Sequence, residues 1–486
     1  MSQAPPIVAT PIDRFEPNLL KDYGGPIASY EGRGVLTLKD GREVSCKFEA
    51  GQLREGDVLL LCDFLPPGLF LATISAIKFE GTTSEGYRIS CDNRIMEINY
   101  LPDLPSDGRT GSFAAFRLGE MNVQMTDSHT QVRSVRFGVT NFQFVGTDAQ
   151  QSGNFHFLTL PLKLKGVNCT TELSIRPLEH DTEIMCRIRT LKITDVTCEV
   201  VSDIPEDGSI ERLKEVIDDL CYLMSVARGT TIQWIYCNHY NAADECIMRT
   251  HSPRITKPFS PSSIIDPRVD GRHETRAFLE QGYGVYVSKR DSYGLNRGTI
   301  AAYLDAKAEQ DYLETRGAKL AVAMEMLKTV FLELPDSSAK EFVLDEEDFK
   351  KLAQPISEAV NKILEQERVE KDNRKAICGD KKIEGLNRRA FRYFIDKLCK
   401  QIGLKVEKTE IKLFVECRDK LVHKGRFYYE AATKQEREKC PPLPSKTHEY
   451  FFLVNFLDRI FLKLLGYSGV YIDWRVPGKP DRSQLV

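Results

Sequence analysis

The chain has 486 residues, of which 42% are hydrophobic and 28% charged, and a formal net charge of -3. It is too long for one hydrophobic core, and its composition is that of a globular protein in water. No apolar run approaches the roughly 20 residues that span a bilayer, so no membrane partner is expected. The N-terminus lacks a basic segment followed by an apolar one, and the thirteen cysteines include no C-x-x-C pair. We therefore expect a cytoplasmic protein with reduced thiols.

Residues 1–205 have the pattern of a β-rich domain. A hairpin is predicted over residues 34–48, where two alternating segments flank the turn residues Asp40 and Gly41. Further strands are predicted at 58–61, 87–91, 134–139, 155–164, 171–175 and 184–200. Short strands separated by Gly, Pro and Asp indicate a sandwich-like or barrel-like sheet.

The next segment, 206–295, contains a predicted helix at 210–228, a strand at 231–236 and a linker or surface loop rich in Pro and Ser at 252–271. From there to the C-terminus, apolar residues recur at helical spacing. Helices are predicted at 273–280, 298–333, 346–369 (interrupted at Pro355), 384–402, 409–424 and 447–465, with a mobile loop at 431–446. The predicted class is therefore a multidomain α+β protein, in which an all-α bundle at 296–486 follows the β-rich region.

Charge is distributed unevenly along the chain. Residues 1–295 are net negative, whereas residues 296–486 are net positive, and the basic excess is densest in 371–400. Arg388, Arg389 and Arg392 alternate there with aromatic residues, a pattern that suits the phosphates and bases of single-stranded nucleic acid. The alternative is a solvated helix face beside a charged loop, because the aromatic residues lie at core spacing.

One residue in the predicted helix 409–424 conflicts with its surroundings. Ile411, Phe414 and Leu421 belong to its apolar face, and Arg418 lies near the centre of that face. A guanidinium stays charged, so burial requires an anionic partner. That partner is a carboxylate of the same chain, a phosphate, or an acid on a second subunit.

Arg418 and His423 form an R-x4-H motif, and this spacing alone is a weak signal. Arg268 and His273 repeat the spacing, but they lie mainly in the Pro- and Gly-rich loop, where nothing fixes their geometry. The motif at 418–423 lies in an amphipathic helix, and Asp419 directly follows its arginine.

The segment RDKLVHKG, residues 418–425, resembles the signature of HEPN domains, which are small helical bundles found in RNA-cutting toxins and defence proteins. The helix predicted around 312–327 and the closing FLKLLGY at 461–467 also resemble that family, over about 296–470. The whole chain is similar in layout to the ApeA type of anti-phage HEPN nuclease, which has a β-rich N-terminal region before its bundle.

The resemblance implies a metal-independent endoribonuclease without a cofactor, active as a homodimer whose two motifs meet at one composite site. It also implies a role as a toxin or abortive-infection effector, with RNA, by family analogy transfer RNA, as substrate. The N-terminal region would sense an unknown trigger or restrain the bundle. The predicted catalytic residues are Arg418, His423 and Asp419, and the predicted RNA contacts are Arg388, Arg389, Arg392, Lys420 and Lys424.

These residue types suit RNA cleavage. RNA carries its own nucleophile, the 2′-hydroxyl, and histidine can move the proton that this group must lose. Arginine can bind the phosphate through two parallel hydrogen bonds. The alternative is a non-catalytic dimerisation or interaction protein, in which Arg418 pairs with an acid of its own chain, such as Glu325 or Glu314, and His423 caps its helix.

Metal chemistry has little support in the sequence. Cys237, His239, Cys246 and His251 are close together, but their spacing matches no common zinc pattern. The chain also contains no phosphate-binding loop motif, no dinucleotide fingerprint and no H-E-x-x-H. No metal is therefore predicted.

Overall fold

The structure is a computed structural model that describes residues 26–63, 76–92, 95–97, 113–125, 130–152, 155–166, 170–178, 181–191, 193–205, 209–257, 262–378 and 380–486. The chain divides into two compact units, Met1–Val287 and Ser288–Val486. An antiparallel sheet dominates the first unit and helices dominate the second. The predicted α+β class is therefore confirmed. None of the helices in the described ranges is long and apolar enough to cross a bilayer.

The described part of the first unit contributes fifteen strands to its sheet. They are β1 (Pro26–Leu38), β2 (Glu43–Leu53), β3 (Val58–Asp63), β4 (Ala76–Thr83), β5 (Arg88–Cys91), β6 (Met96–Glu97), β7 (Phe113–Arg117), β8 (Met121–Gln124), β9 (Ser134–Thr140), β10 (Asp148–Ser152), β11 (Phe155–Lys165), β12 (Thr170–Pro177), β13 (Val196–Asp203), β14 (Trp234–Tyr240) and β15 (Cys246–His251). Their order in the sheet is β10-β11-β12-β13-β9-β14-β15-β8-β5-β4-β1-β2-β3-β7-β6.

The predicted hairpin is β1 and β2, which pair with Gly34 opposite Cys46. Gly41 has a φ of +83° in the turn, a conformation that glycine adopts without steric cost. Alternate side chains of β1 to β5, β7 and β8 form one hydrophobic cluster around Phe48 and Phe79, whose ring centroids are 5.1 Å apart. This part of the sheet therefore encloses a common core.

Residues 206–287 belong with the first unit, although their composition set them apart from the first 205. Strand β14 pairs with β9, and β15 pairs with β8. The helices of this unit are α1 (Asp181–Leu191), α2 (Ile210–Arg228) and α3 (Arg272–Lys289), with a 3-10 turn at Val269–Gly271. Helix α2 has the predicted bounds, because Ser209 caps its start and Gly229, in the left-handed conformation, ends it.

The strand predicted at 184–200 is wrong over its first half, since residues 181–191 form α1 and the strand, β13, begins at Val196. Over so short a length, a mixture of polar and apolar residues fits both the period of a helix and the period of a strand. Contacts with the sheet then decide which of the two structures forms.

The second unit contains ten helices within its described residues. They are α4 (Ile300–Ala306), α5 (Leu313–Glu333), α6 (Glu346–Gln366), α7 (Lys371–Ile377), α8 (Asp380–Gly385), α9 (Phe391–Gln401), α10 (Lys408–Lys424), α11 (Tyr428–Ala431), α12 (Lys434–Lys439) and α13 (Lys446–Leu464). A short sheet of β16 (Val470–Asp473) and β17 (Asp481–Gln484) follows, which the sequence pattern did not predict.

Several helical boundaries differ from the sequence pattern. The helix predicted at 384–402 begins only at Phe391, as α9, because residues 386–390 are not helical. The predicted helix 298–333 is divided between α4 and α5, whereas α6 continues through Pro355. Most of α6 is exposed, so water can bind the carbonyl groups that a proline leaves without a partner. The predicted loop 431–446 contains α12, which Thr433 and Glu436 stabilise through a capping box.

Helix α13 is the core of the second unit, with most of its residues buried. It carries Asp458, which forms a fully buried ion pair with Lys307 at 3.2 Å and accepts a hydrogen bond from Tyr303. Burial raises the pKa of the Asp458 carboxyl and lowers that of the Lys307 amine. The ion pair links Lys307, which directly follows α4, to α13. Helices α5 and α10 also pack against α13.

Candidate functional site

Helix α10 positions the predicted catalytic residues. Its buried face packs on α13, where the rings of Phe414 and Phe456 stack at 4.1 Å. Gly425 ends the helix in the left-handed conformation, as predicted, whereas the first capping residue is Glu407 rather than Thr409. Arg418 lies on the buried face and is only 8% exposed. Its placement within the apolar stripe is therefore confirmed.

Helix α5 approaches α10 closely because Gly317 has no side chain. A Cβ atom there would lie 2.9 Å from side-chain atoms of both Leu421 and Phe427. Two turns further along α5, Glu325 accepts a hydrogen bond from Nη2 of Arg418. The close crossing thus brings a carboxylate to the buried guanidinium.

Arg418 has two further contacts. Its Nη1 donates to Oδ1 of Asp419 at 2.6 Å, and its guanidinium lies over the ring of Phe391, 4.4 Å from the centroid. Its Nε is buried and has no hydrogen-bond partner among the described residues. Glu325 is itself bound at 3.3 Å by Lys328. The anionic partners in this single chain are therefore carboxylates, including Glu325, one of the two acids named by the sequence alternative.

His423 lies in the last turn of α10, and its side chain is exposed. Five residues along a helix correspond to a rotation of about 140° beyond a full turn, so Arg418 and His423 of one chain point in different directions. The hydrogen bonds of Arg418 to described residues go to Glu325 and Asp419 and not to His423. One chain alone does not bring the arginine and the histidine of the motif together.

Of the three predicted RNA contacts of the basic segment, Arg388 and Arg389 lie just before α9, and Arg392 lies in its first turn. Arg388 and Arg392 are exposed, and Arg389 donates to the carbonyl of Phe342 at 3.2 Å and lies over the ring of Tyr393. Phe391, the first residue of α9, is the ring under Arg418. These arginines therefore flank, in sequence, the phenylalanine whose ring supports Arg418.

The two predicted lysine contacts differ in their environment. Lys424 is exposed near His423, whereas Lys420 is buried and binds Oε1 of Glu436 at 2.6 Å. This bond, together with the backbone N–H of Thr433, which donates to Oε2 of Glu436, lowers the pKa of Glu436 to about 2. Lys420 holds α12 against α10, and this geometry favours a structural role over an RNA contact.

An apolar groove of about 540 Å³ lies beside Glu325, the ion-pair partner of Arg418. It runs between α5 and α10, and Glu325 lies in its wall. Val322 and Val422 line it and are 54% and 40% exposed. Neither this groove nor the contact of Phe391 with Arg418 is predicted by the sequence pattern. The alternation of Arg and aromatic residues at 388–394 marks this segment in the sequence, but it does not predict a contact with residue 418.

The cysteine and histidine residues on β14 and β15 form no metal centre. His251 is bound by Tyr30 and Gln52, each at 3.0 Å, and burial lowers the pKa of His251 to about 3 and that of His239 to about 4. Throughout the described ranges, no group of three or more His, Cys, Asp and Glu residues is arranged to hold a metal ion.

The second unit is thus a helical bundle in which one helix carries a buried, carboxylate-bound arginine and, on another side, an exposed histidine. A basic segment at the start of α9 and an apolar groove between α5 and α10 accompany them. No family model, no curated protein and no solved structure matches the chain. The likeness of RDKLVHKG to the HEPN signature stays a prediction.

Proposed function

We propose that the second unit is a metal-independent endoribonuclease of the HEPN kind, and that it acts as a homodimer. The observation that carries this proposal is the arrangement of Arg418. Two carboxylates and the ring of Phe391 orient its guanidinium, while His423, Lys424 and Arg426 surround the end of the same helix as exposed groups. A fixed cation on a helix whose end also carries an exposed histidine and accessible positive charge suits a phosphodiester in RNA.

The reaction needs two proton transfers and stabilisation of charge on one phosphate. The RNA 2′-oxygen attacks phosphorus as its proton passes to a histidine, and the bond from phosphorus to the 5′-oxygen breaks. The leaving 5′-oxygen takes up a proton from a protonated histidine, and the other product carries a 2′,3′-cyclic phosphate. His423 is the group proposed for proton transfer, Arg418 stabilises the charge on the phosphate, and Asp419 orients Arg418.

Dimerisation supplies what one chain lacks. Because Arg418 and His423 of one chain point apart, His423 of a second copy is needed opposite Arg418. The groove beside Glu325 offers an apolar surface for that copy, and it shares Glu325 and Val422 with the proposed site and its helix. A twofold axis along this groove would place two copies of α10 next to each other.

A second candidate function rests on the ion pair of Arg418 with Glu325. With both Nη atoms bound by carboxylates of its own chain, Arg418 is neutralised without a phosphate. The bundle would then be a non-catalytic dimerisation or interaction module. A single stoichiometric protein partner, with no RNA cleavage under any condition, supports this function.

The biological setting follows from the resemblance alone. We propose a cytoplasmic toxin or anti-phage effector whose first unit senses a trigger or restrains the nuclease, with transfer RNA as the substrate to test first. A growth defect on expression of the wild-type chain, abolished by His423→Ala, supports this role. Equal growth under all conditions, including infection, contradicts it.

The experiment that tests the activity compares two substrates in the presence of a chelator. Purified protein with EDTA should cut an RNA oligonucleotide and leave 2′,3′-cyclic phosphate ends. The same sequence with 2′-deoxyribose at the cleavage position should resist cutting there. Cleavage of both substrates, or cleavage that EDTA abolishes, overturns the proposed chemistry.

A further inference from the structure

A second buried ionic cluster lies in the first unit. Asp195, at the start of β13, has a side chain only 9% exposed, and its Oδ2 accepts hydrogen bonds from both Arg54 and Arg187. Its Oδ1 accepts from the backbone N–H of Val196 at 3.0 Å. Two guanidinium groups from distant parts of the chain therefore meet at one carboxylate oxygen.

The charges in this cluster do not balance. Asp195 supplies one negative charge to two permanent positive charges, and no other carboxylate of the described residues pairs with Arg54 or Arg187. A neighbouring pair shows the contrast, since Arg117 binds Asp57 at 3.2 Å in a one-to-one, solvent-exposed bridge. Two like charges held together at a nearly buried acid favour the approach of a further anion.

Among the described residues, both guanidinium groups keep N–H donors that have no partner. Each uses a single N–H group on Asp195, and the side chains of Arg54 and Arg187 are 23% and 43% exposed. An arginine presents five N–H donors in a planar fork. The Asp195 carboxylate is therefore nearly buried, whereas the two guanidinium groups are partly exposed to solvent.

The backbone around Arg54 is fixed in place. Arg54 lies in the tight turn between β2 and β3, where its carbonyl accepts from Thr256 at 3.0 Å. Gly56 in that turn has a φ of +95°, and a Cβ atom there would lie 1.9 Å from the carbonyl oxygen of Arg254. The turn thus packs directly on residues 254–256, which sets the position of the first guanidinium.

The acid is held with equal firmness. Asn141 is fully buried at a φ of +54°, a region that non-glycine residues rarely adopt. Its backbone N–H and its side-chain Oδ1 both bond to the backbone of Asp195, and its Nδ2 donates to the carbonyl of Lys257 at 2.7 Å. These three hydrogen bonds fix the backbone that carries the Asp195 carboxylate.

We propose that Arg54 and Arg187, bridged by Asp195, form a receptor for a phosphate group in the first unit. A phosphate presents several oxygens to which two converging forks can bind in parallel, which a halide cannot do. The proposal goes beyond the ribonuclease function, because it concerns a different unit and requires no RNA cleavage.

The phosphate has two possible sources, a small phosphorylated molecule and the backbone of a nucleic acid. Titration calorimetry on the full chain, with ionic strength held constant by KCl, uses inorganic phosphate first. Adenosine monophosphate and an oligonucleotide with a 5′-hydroxyl end, which holds only phosphodiesters, then distinguish the sources. Tighter binding of the monophosphate indicates a small molecule, and tighter binding of the oligonucleotide indicates a polynucleotide.

Three variants make the test specific. Arg54→Gln and Arg187→Gln should each weaken phosphate binding at least tenfold, whereas Arg117→Gln, which removes the same charge beside the same turn, should leave it unchanged. Arg187→Lys keeps a positive charge next to Asp195. It therefore separates the loss of phosphate binding from a loss of folding. It should fold with a wild-type melting temperature and still bind phosphate several-fold more weakly, since it lacks the fork.

Saturating phosphate should also raise the melting temperature of the wild-type first unit by about 3 °C relative to matched KCl. The absence of any phosphate effect beyond that of KCl overturns the proposal. So does binding that is equal in wild type, Arg187→Gln and Arg187→Lys, because the two arginines would then be a structural cluster only.

Discussion

Arg418 on α10 and Glu325 on α5 form an ion pair across 93 positions of sequence, with the arginine side chain 10% exposed and the glutamate side chain 35% exposed. The pair joins two helices of the bundle at the wall of the apolar groove. It fixes the direction of the guanidinium and also competes with any phosphate for it. The proposed nuclease and the non-catalytic module both contain this ion pair. In the nuclease, an RNA phosphate and His423 of a second copy also approach Arg418, whereas in the module they do not.

Glu325→Gln should destabilise the second unit. The substitution keeps an acceptor for Arg418 but removes the charge, so the free energy of unfolding should fall by about 1–2 kcal/mol. Glu333→Gln is the matched control, since Glu333 is an exposed acid near the end of the same helix. Urea denaturation of the full chain measures both. Equal unfolding of wild type and Glu325→Gln would show that the pair does not stabilise the bundle.

Lys420→Met should change the acid stability of the second unit. The hydrogen bond from Lys420 is the largest cause of the low pKa of Glu436, about 2 against an ordinary value of 4.5. A carboxyl with a lowered pKa stabilises the fold above its ordinary pKa, and this contribution is lost as the pH falls through the folded value.

The melting temperatures of wild type and Lys420→Met should therefore differ most above pH 4.5 and converge as the pH falls towards 2. Thermal unfolding at a series of pH values measures this. A difference that stays constant over the whole range contradicts the role of the Lys420–Glu436 pair.

Arg392→Gln should weaken binding of single-stranded RNA and reduce its salt dependence. Each phosphate contact contributes about 0.7 to the slope of log affinity against log salt for single strands, so the variant should lose roughly that amount. Lys400→Gln, at the other end of α9 and paired with Asp396 at 2.6 Å, is the control. Fluorescence anisotropy at several salt concentrations compares them. An identical slope in wild type and Arg392→Gln would remove Arg392 from the RNA surface.

Val322→Lys should dissociate the proposed dimer. A lysine at the centre of an apolar interface should raise the dimer Kd about 100-fold, and cleavage should fall with the dimer population. Val476→Lys places the same charge at a residue that is similarly exposed, 52% against 54%, between β16 and β17. Light scattering over a range of concentrations reports the association. A wild-type chain that is monomeric at all concentrations removes the composite site.

The sequence predicts the local features of the site well and its distant contacts poorly. Helical periodicity alone places Arg418 in the apolar stripe of α10, and the Gly425 stop is correct for the same local reason. Nothing local distinguishes Glu325 from Glu314 as the partner of Arg418. Glu314 instead binds Lys446 at 2.5 Å, because the crossing of α5 and α10 at Gly317 sets which acid reaches which base.

Two long-range contacts were not predicted, and for the same reason. Lys420 is predicted as an RNA contact, and the sequence gives no sign that it also binds Glu436 of α12, a helix that lies in the predicted loop 431–446. The charge pattern around Asp195 left no sequence signal at all, since Arg54 and Arg187 reach it from 141 and 8 positions away. Long-range pairing of this kind depends on the register of the sheet.

The most direct test of the central claim is the single-turnover cleavage rate of RNA, in EDTA, by wild type, His423→Ala and His273→Ala. His273 is an exposed histidine in the second R-x4-H spacing, and its removal should leave the rate unchanged. His423→Ala should lower the rate by about 100-fold or more while the melting temperature stays the same. Wild-type cleavage by His423→Ala would contradict the assignment of α10 as the catalytic helix.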